Sequence, residues 1–367
     1  MKIGIDASRI SIDEKSGTEN YSLNLIKALA KIDSKNHYQL YFNHDPKFFE
    51  LPETNFASKI IPARKFWTQG RLAAELVLNP VDLLFVPAHT IPILRRPGLK
   101  TVVTIHDLGA EYLAAYHKFP DRIYLNWSTA FVANYASHII AVSEATKKDL
   151  VREFKVKEER ISVVYEGVDR NFFKKSQPEQ VDQVRKKYGL KKPYFLFVGT
   201  IQPRKNLFNL IQAFSEARVE ADLVIAGKPG WLFKEIYEAP KKFGIEEKVK
   251  FLGFTPTEDL PALYSGALSF VFPSLYEGFG LPLLEAMACA CPVLTSNQSS
   301  LPEVVGRAGL LVNPRSSKEI AQAIEKLFKD KHLRESLSQK GQERTQNFSW
   351  EKTARETLAV LEKVGES

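Results

Sequence analysis

Short apolar runs alternate with amphipathic segments along the whole chain. Runs rich in β-branched and aromatic residues, bounded by turn residues, predict buried strands. The segments between them carry apolar residues at helical spacing, as Tyr21, Leu25 and Ala28 do within residues 19–32. Strands buried on both faces and alternating with helices are typical of a parallel sheet. The first series of predicted strands comprises residues 2–6, 38–42, 82–86, 100–105, 137–142 and 161–165.

This pattern breaks at residues 172–193, which are charged and contain no strand-like run. The chain has 367 residues, and a single core rarely grows beyond ~250–300 residues. We therefore predict two doubly wound α/β domains, joined near residue 172, with an amphipathic helix over 348–364 at the end. The second series of predicted strands comprises residues 194–199, 221–227, 248–253, 268–273 and 291–296.

Composition narrows the class of protein. The chain is 44% hydrophobic and 26% charged, which excludes disorder as a description of the whole. The net charge of +8 is spread over both halves without a basic tail, which argues against a nucleic-acid partner. Cys289 and Cys291 have no second pair, so they predict free thiols at a helix end rather than a zinc or disulfide site. No signal peptide or membrane span is evident, so we expect a cytoplasmic protein.

The strand-end loops of the second series carry the first candidate site. Ligands of open α/β sheets bind beyond the carboxyl ends of the strands. Arg204 and Lys205 follow the strand 194–199 and precede a helix, with Asn206 predicted as its N-cap. Two adjacent cations beside the free N–H groups of a helix start suit a diphosphate. The alternative is a solvated cation pair before a helix.

The second candidate is the stretch SLYEGFGLPLLEA, which follows the strand 268–273. It predicts a glycine-containing loop and then a helix over 281–288. Glu277 and Glu285 are then on the order of 10 Å apart, too far to act as a carboxylate pair on one bond. They suit two grips on an elongated ligand, because a carboxylate accepts the vicinal hydroxyls of a ribose. The alternative is that Glu277 caps the helix and Glu285 is half exposed.

Two further loops belong to the first domain. His106 directly follows the strand 100–105, and histidine is the side chain that titrates near neutral pH. A structural histidine is the alternative there. Gly17 lies in the loop after the first strand, just before a helix, where the backbone could approach a phosphate or a sugar. Ser143 is predicted as a helix N-cap.

Together these motifs resemble the retaining glycosyltransferases of family 4. The resemblance rests on EGFGLPLLE with AMACACPV after it, FVGTIQPRKN, VVYEGVD, TIHDL and the final FSW helix, in order over nearly the whole chain. It implies the α/β GT-B fold, two doubly wound Rossmann-like domains facing across a cleft. Residues 1–172 would bind the acceptor and receive the crossover helix 348–367. Residues 173–347 would bind the nucleotide sugar.

The resemblance also implies roles for residues that match the motifs. Arg204 and Lys205 would bind the donor diphosphate, and Glu277 would hold hydroxyls of the donor sugar. Glu285 would bind the nucleotide ribose, and His106 would face the sugar near the reacting carbon. The remaining donor contacts would come from Gly17 at the diphosphate, Gly253 and Phe254 at the base, and the backbone of Gly278, Phe279, Gly280 and Leu281 at the sugar.

Two positions depart from the family pattern. Many relatives have an arginine after the glycine of the phosphate loop, where this chain has Thr200, so Arg204 would compensate. The N-terminal loop has a single glycine, in SGTEN, where many relatives have two. The chain contains no Asp-x-Asp motif at a strand end, so no metal or other cofactor is expected, and the cations must neutralise the diphosphate.

The implied reaction moves a hexose from a nucleotide diphosphate sugar, with GDP-mannose the first expectation, to a glycan or lipid-linked glycan of a bacterial surface polysaccharide. The alternatives are a non-catalytic partner subunit, a nucleotide-sugar sensor, or another GT-B enzyme such as an epimerase. Residues 65–78 are basic and aromatic. They fit either an ordinary packed helix or peripheral contact with the inner face of a membrane.

Overall fold

The computed structural model describes residues 1–11, 17–46, 55–63, 66–88, 90–108 and 121–367, with the backbone alone for 121–126. The described residues form two compact units. Unit 1 comprises those within 1–167 and 350–367, and unit 2 comprises residues 168–349. Among the described helices, none is both long and apolar enough to cross a membrane.

Unit 1 contains a parallel sheet whose described strands have the order 3-2-1-4-5-6-7. The interior positions of its central strands are fully buried, as Ile3, Phe85 and Val103 illustrate, because helices cover both faces of a parallel sheet. The strands are β1 Lys2–Asp6, β2 His37–Phe42, β3 Phe56–Ile60, β4 Leu83–Val86, β5 Lys100–Ile105, β6 His138–Ala141 and β7 Ile161–Val163.

Unit 2 repeats this design with a parallel sheet of order 10-9-8-11-12-13. Renumbered within the unit, that order is 3-2-1-4-5-6, the Rossmann arrangement. The strands are β8 Tyr194–Val198, β9 Asp222–Ala226, β10 Val249–Gly253, β11 Ser269–Phe272, β12 Val293–Ser296 and β13 Gly309–Val312.

Helices connect these strands on both faces of each sheet. The last of them belongs to unit 1, where it packs against the first helix and donates a hydrogen bond from Thr353 Oγ1 to Tyr165 O at 2.8 Å. The described α-helices are α1 Gly17–Ile32, α2 Ala73–Leu78, α3 Asp121–Tyr135, α4 Glu144–Phe154, α5 Pro178–Lys187, α6 Leu207–Glu216, α7 Lys234–Lys242, α8 Leu260–Gly266, α9 Leu281–Ala288, α10 Leu301–Val305, α11 Ser317–Lys329, α12 Lys331–Thr345 and α13 Trp350–Glu366.

The predicted strands and helices are largely confirmed, and the differences have physical causes. Two strands, β3 and β13, were not predicted. Both are edge strands. β3 has four exposed residues and no continuous apolar run, whereas the apolar run GLLV of β13 is only four residues long. Helix α1 begins at Gly17, so this glycine is the first residue of the helix and not part of the loop before it.

Each sheet has a point where the strand order reverses, between β1 and β4 in unit 1 and between β8 and β11 in unit 2. The connections on either side of such a point leave towards opposite faces, which opens a crevice beyond the carboxyl ends of the two strands. In unit 2 this crevice lies between the loop after β8 and the loop after β11. Those two loops carry Arg204, Lys205 and Glu277.

Candidate active site

The candidate site of unit 2 is built on the two loops at the reversal point. Arg204 and Lys205 lie on a single 3₁₀ turn, Pro203–Lys205, in the loop after β8. Glu277 lies in the loop between β11 and α9. A backbone hydrogen bond from Leu275 N to Arg204 O, 2.9 Å long, ties the two loops together.

Glu277 makes an ion pair with each of the two cations. Its Oε2 lies 2.9 Å from Arg204 Nη1, and its Oε1 lies 2.6 Å from Lys205 Nζ. All three side chains are at most 18% exposed. Burial by itself raises the pKa of the Glu277 carboxyl, but the charges of Arg204 and Lys205 outweigh this effect and hold the pKa below its usual value. Glu277 is therefore a carboxylate at neutral pH. We call these three side chains the cation–carboxylate triad.

Additional contacts hold the triad in position. Arg204 Nη1 also donates to Tyr276 O at 3.1 Å. The ammonium of Lys205 lies 4.7 Å from the centroid of the Phe272 ring, a cation–π contact with the last residue of β11. A buried lysine is costly without such partners. The carboxylate and the ring therefore stabilise the positive charge of Lys205 at this position.

Asn206 has a different role from the one predicted. It precedes α6 at the N-cap position, but its side chain makes no capping hydrogen bond. Its φ of 60° is left-handed, and its Nδ2 donates to Pro273 O at 3.1 Å and to Pro314 O at 2.6 Å. The amide therefore links the loop after β8 to the loops after β11 and β13. Local sequence shows only the helix start, not these distant acceptors.

Ser299 and Ser300 support the Glu277 loop and were not predicted from the sequence. Ser300 Oγ lies 2.9 Å from Glu277 O and 2.7 Å from Phe279 O. Ser299 Oγ accepts from Glu277 N at 3.2 Å and also donates to Glu277 O. The available signal was the run SNQSSLP at the end of β12, since serine clusters after a strand mark a loop able to bind backbone groups.

The helix after this loop begins at Leu281, as predicted. Its N-cap is Gly280, with a left-handed φ of 117°, so Glu277 does not cap it. A Cβ at Gly280 would lie 2.9 Å from Leu301 Cδ2, so space as well as backbone conformation favours glycine. Gly278 lies in the same loop, and Phe279 is buried with its ring 6.0 Å from that of Phe348.

Glu285 lies on the second turn of α9 and is half-buried. Tyr264 Oη donates to its Oε2 at 3.1 Å. Burial raises the pKa of Glu285 to about 7, and the hydrogen bond from Tyr264 opposes that rise. Glu277 and Glu285 therefore occupy opposite electrostatic environments: two cations keep Glu277 ionised, whereas Glu285 titrates near neutral pH.

A second group of residues in unit 2 lies beyond the carboxyl ends of β8, β9 and β10. Gly253 ends β10, and Phe254 after it is 62% exposed. Lys228, which follows β9, places its ammonium 4.3 Å from the centroid of the Phe254 ring. Thr200, after β8, is exposed. An exposed ring at the carboxyl edge of a sheet provides a flat apolar surface for a planar ligand group.

His106 lies at the corresponding edge of the unit 1 sheet and is buried. Its Nε2 lies 2.8 Å from Pro87 O, and its Nδ1 lies 3.1 Å from Oε1 of the buried Glu166. A carbonyl can only accept, so Nε2 carries a proton. The Tyr21 ring meets the imidazole edge-on at a centroid distance of 4.6 Å. Both ring nitrogens are therefore engaged, and in this geometry neither is free to accept a proton from a substrate.

Glu166 was not singled out from the sequence, although it lies in VVYEGVD. An acidic residue within an apolar run after a strand is a signal for a buried partner, but the partner, 60 residues away, is not evident from spacing. Gly17, in contrast, is exposed at the start of α1, with no atom near the position of a Cβ. Residues 12–16 of its predicted loop lie outside the described residues. Ser143 caps α4 as predicted, accepting from Thr146 N.

Comparison with known proteins identifies the family of the chain. A family model described as Glycosyl transferases group 1 matches residues 180–344, and one described as Glycosyltransferase Family 4 matches residues 15–172. The chain is 32% identical over 372 residues to the O-antigen chain mannosyltransferase B of Escherichia coli, covering 94% of this chain and 95% of that protein. The chain belongs to the family-4 glycosyltransferases.

Solved structures share the fold of this glycosyltransferase at lower identity. Sucrose-phosphate synthase from Thermosynechococcus elongatus superposes with a TM-score of 0.79 at 21% identity, over 99% of this chain and 98% of that one. The Anabaena protein HepE in complex with UDP-glucose gives 0.78 at 20% identity, over 99% of each chain. Together with the two Rossmann-like sheets, these matches confirm the predicted α/β GT-B fold.

Within unit 2 of the glycosyltransferase, the structure brings Arg204, Lys205 and Glu277 into direct contact. Glu285 lies on the adjoining helix, while Gly253 and Phe254 lie at the end of a different strand of the same sheet. His106 and Gly17 belong to unit 1. Among the described residues there is no cluster of three His, Cys, Asp or Glu side chains suited to a metal ion.

The triad predicts that removing its buried carboxylate destabilises the protein far more than removing an exposed one. In Glu277→Leu the two buried cations lose their shared partner, so we expect the free energy of unfolding to fall by ~3–5 kcal/mol. Glu335→Leu is the matched control, because Glu335 is 59% exposed in its pair with Lys331, and we expect a change within ~0.5 kcal/mol. Urea unfolding measures both, and equal losses would contradict the structural role of the triad.

Glu285 predicts a specific pH dependence of stability. Because the pKa of Glu285 is raised to about 7 in the folded protein, its contribution is fully present at low pH, below the pKa of the unfolded chain. It is lost as pH rises through about 7. Relative to Glu285→Gln, the unchanged protein should therefore become less stable between pH 5 and pH 8. Unfolding free energies of both proteins across that range measure the effect, and parallel curves would contradict it.

Proposed function

We propose that this glycosyltransferase moves a hexose from a nucleotide diphosphate sugar to a glycan or lipid-linked glycan, with retention of configuration and without a metal ion. The observation that carries the proposal is the cation–carboxylate triad at the reversal point of the unit 2 sheet. Unit 2 would bind the donor and unit 1 the acceptor. The names of relatives support a mannosyl donor and a surface polysaccharide: the E. coli mannosyltransferase named above and the Salmonella typhimurium O-antigen chain mannosyltransferase RfbU.

In this proposal the donor diphosphate replaces Glu277 as the partner of Arg204 and Lys205. Without a donor, Glu277 is the anion that Arg204 and Lys205 share at 2.6–2.9 Å. A diphosphate carries more negative charge and more acceptor oxygens than one carboxylate, so it competes well for both side chains. Glu277 is then released to accept hydrogen bonds from donor sugar hydroxyls. The adjacent loop backbone, from Gly278 to Leu281, supports the same sugar.

The nucleoside end of the donor would extend along the same sheet edge. Glu285, once ionised, accepts the two vicinal hydroxyls of the ribose. The exposed Phe254 ring, beside Gly253 and Lys228, offers a stacking surface for the base. Thr200, exposed after β8, adds a hydroxyl donor near the phosphates. Since ribose binding needs the carboxylate form of Glu285, donor affinity should rise with pH through about 7, the pKa of this group.

The reaction then depends on charge that develops as the diphosphate leaves. Arg204 and Lys205 are already in place to meet that charge, so little reorganisation is required. The acceptor hydroxyl attacks from the face that the diphosphate leaves, and the departing phosphate takes its proton. His106 would lie near the sugar but would not act as a base, because Pro87 O and Glu166 already engage both of its ring nitrogens.

A panel of nucleotide sugars tests the donor class. A ligand that binds only the folded state raises the apparent stability, so the cognate donor among UDP-, GDP-, ADP- and dTDP-sugars should raise the melting temperature most. We expect GDP-mannose to give the largest shift. Intact nucleotide sugars are preferable to nucleoside diphosphates, whose terminal phosphate titrates near pH 6 and would obscure the effect of Glu285. Absence of any shift would favour a non-catalytic protein.

Kinetics separate the roles of the cations from that of the ribose carboxylate. Lys205→Ala should lower kcat by roughly 10²–10³-fold, because it removes a charge that acts mainly in the transition state. Glu285→Ala should mainly raise the donor KM, by roughly 10–100-fold, since a hydrogen bond to a charged group contributes ~1.5–3 kcal/mol. Steady-state rates with the cognate donor measure both variants.

The exposed Lys192 supplies the control variant Lys192→Ala, which should behave as the unchanged protein. Lys205→Arg retains the charge and shows whether loss of folding explains the result for Lys205→Ala. An unchanged kcat in a folded Lys205→Ala protein would refute the assignment of Lys205 to the leaving group.

A further inference from the structure

A cluster of exposed apolar and basic side chains lies on unit 1, away from the residues proposed for transfer. Leu94 is 74% exposed, Tyr135 59%, Trp127 49% and Ile93 44%, and the basic residue Arg96 is exposed among them. We call these five residues the arginine–aromatic patch. Single exposed apolar residues are ordinary on a surface, but a contiguous group with adjacent arginines indicates an interaction site.

The patch is held together by contacts between a loop and a helix. Along one face of α3 the Trp127 and Phe131 rings stack at a centroid distance of 5.7 Å, and the Phe131 and Tyr135 rings lie 4.7 Å apart. The guanidinium of Arg95 lies 5.8 Å from the Phe131 ring and donates to Tyr135 O at 2.8 Å. Arg95 therefore fixes the loop that carries Ile93 and Leu94 against the aromatic face of α3.

A second set of hydrogen bonds fixes the other side of this loop. The backbone N–H of Ile93 donates to Gln69 Oε1 at 2.8 Å, and Gln69 Nε2 donates to Ile91 O at 3.1 Å. The exposed apolar residues therefore lie on a loop that is anchored at both sides. An anchored loop gives a preformed surface, which lowers the entropy cost of binding.

A positively charged cavity of about 510 Å³ lies within the patch. The described residues that line this cavity include two arginines and no acid. The lining residues are Ile93, Arg95, Arg96, Pro97, Gly98, Leu99, Phe131 and Tyr135. Such a cavity accommodates an anionic group and repels a cationic one.

The position of the patch separates it from the proposed reaction. Residues 93–99 precede β5 and Tyr135 precedes β6, so these members of the patch lie towards the amino ends of the two parallel strands, and Trp127 continues the patch along α3. His106 follows β5 at the opposite, carboxyl edge of the same sheet. The patch is therefore a second surface and not an extension of the candidate active site.

We propose that the arginine–aromatic patch binds the surface of an anionic phospholipid bilayer. Trp and Tyr prefer the interface between water and lipid, and arginine is attracted to anionic headgroups. A glycan would use the aromatic rings, but it would gain little from the exposed aliphatic side chains of Leu94 and Ile93, which a bilayer accommodates. This inference builds on the proposed lipid-linked acceptor, because binding at the patch would keep unit 1 at the membrane that contains such an acceptor.

Vesicle flotation with the full-length protein tests the patch. The unchanged protein should float with vesicles of phosphatidylcholine and phosphatidylglycerol and bind weakly to phosphatidylcholine alone. Arg96→Glu should weaken binding to the anionic vesicles about fivefold or more. Each basic residue near an anionic surface contributes about 1 kcal/mol to binding, which corresponds to about fivefold in affinity. Leu94→Asp should weaken it by a similar factor or more.

The chain offers matched controls in the same unit. Leu78 is 76% exposed, close to the value for Leu94, and it lies in the segment 65–78 that also suggested membrane contact. Leu78→Asp should float as the unchanged protein does, and so should Lys157→Glu at another exposed basic position. Circular dichroism melting confirms that each variant is folded.

Three results would overturn the proposal: full binding by Leu94→Asp, equal loss in Leu78→Asp, or equal binding to neutral vesicles. Binding of a soluble glycan that Leu94→Asp abolishes, with no vesicle binding, would assign the patch to sugar instead. Flotation does not depend on catalysis, so the proposed transfer reaction can fail while the patch is confirmed. Transfer to a water-soluble acceptor should proceed in Leu94→Asp at the unchanged rate.

Discussion

The contact of Glu277 with Arg204 and Lys205 is the constraint on which the rest of unit 2 depends. Each partner is costly to bury alone, and together they are satisfied only if two loops meet. Those loops follow β8 and β11, strands that are distant in sequence and adjacent in the sheet. Rossmann strand order therefore brings the charges together. The surrounding hydrogen bonds from Asn206, Ser299 and Ser300 serve to keep the loops in that position.

Unit 1 applies the same principle with different chemistry. His106 and Glu166, both buried, meet beyond the carboxyl edge of its sheet, with Pro87 O on the other side of the imidazole. A buried polar pair of this kind adds orientation more than stability, because the desolvation of both groups offsets much of their attraction. In both units the charged pairs therefore define where side chains point, while the apolar strands supply the free energy of folding.

Much of this architecture could be predicted from local pattern. The central strands and α9 are recognisable because parallel strands are apolar on both faces and helices repeat every 3.6 residues. The edge strand β3 could not be recognised, since four of its five residues are exposed and it has no apolar run. The run GLLV of β13 is apolar, but four residues are too few to distinguish a strand from part of a helix by periodicity. The helix start at Gly17 was misplaced for a related reason: helix ends depend on caps and surroundings, not on periodicity alone.

For the candidate site, the sequence by itself determined which chemical groups follow which strands: a cation pair after β8, a carboxylate and glycines after β11, a histidine after β5. It also carried enough ordered motifs to place the chain in its family. Tertiary structure alone decided that Glu277 pairs with both cations and that Glu285 titrates near neutral pH. It also decided that both ring nitrogens of His106 lie within hydrogen-bond distance of protein partners. Those properties depend on burial and on partners distant in sequence, which no local pattern contains.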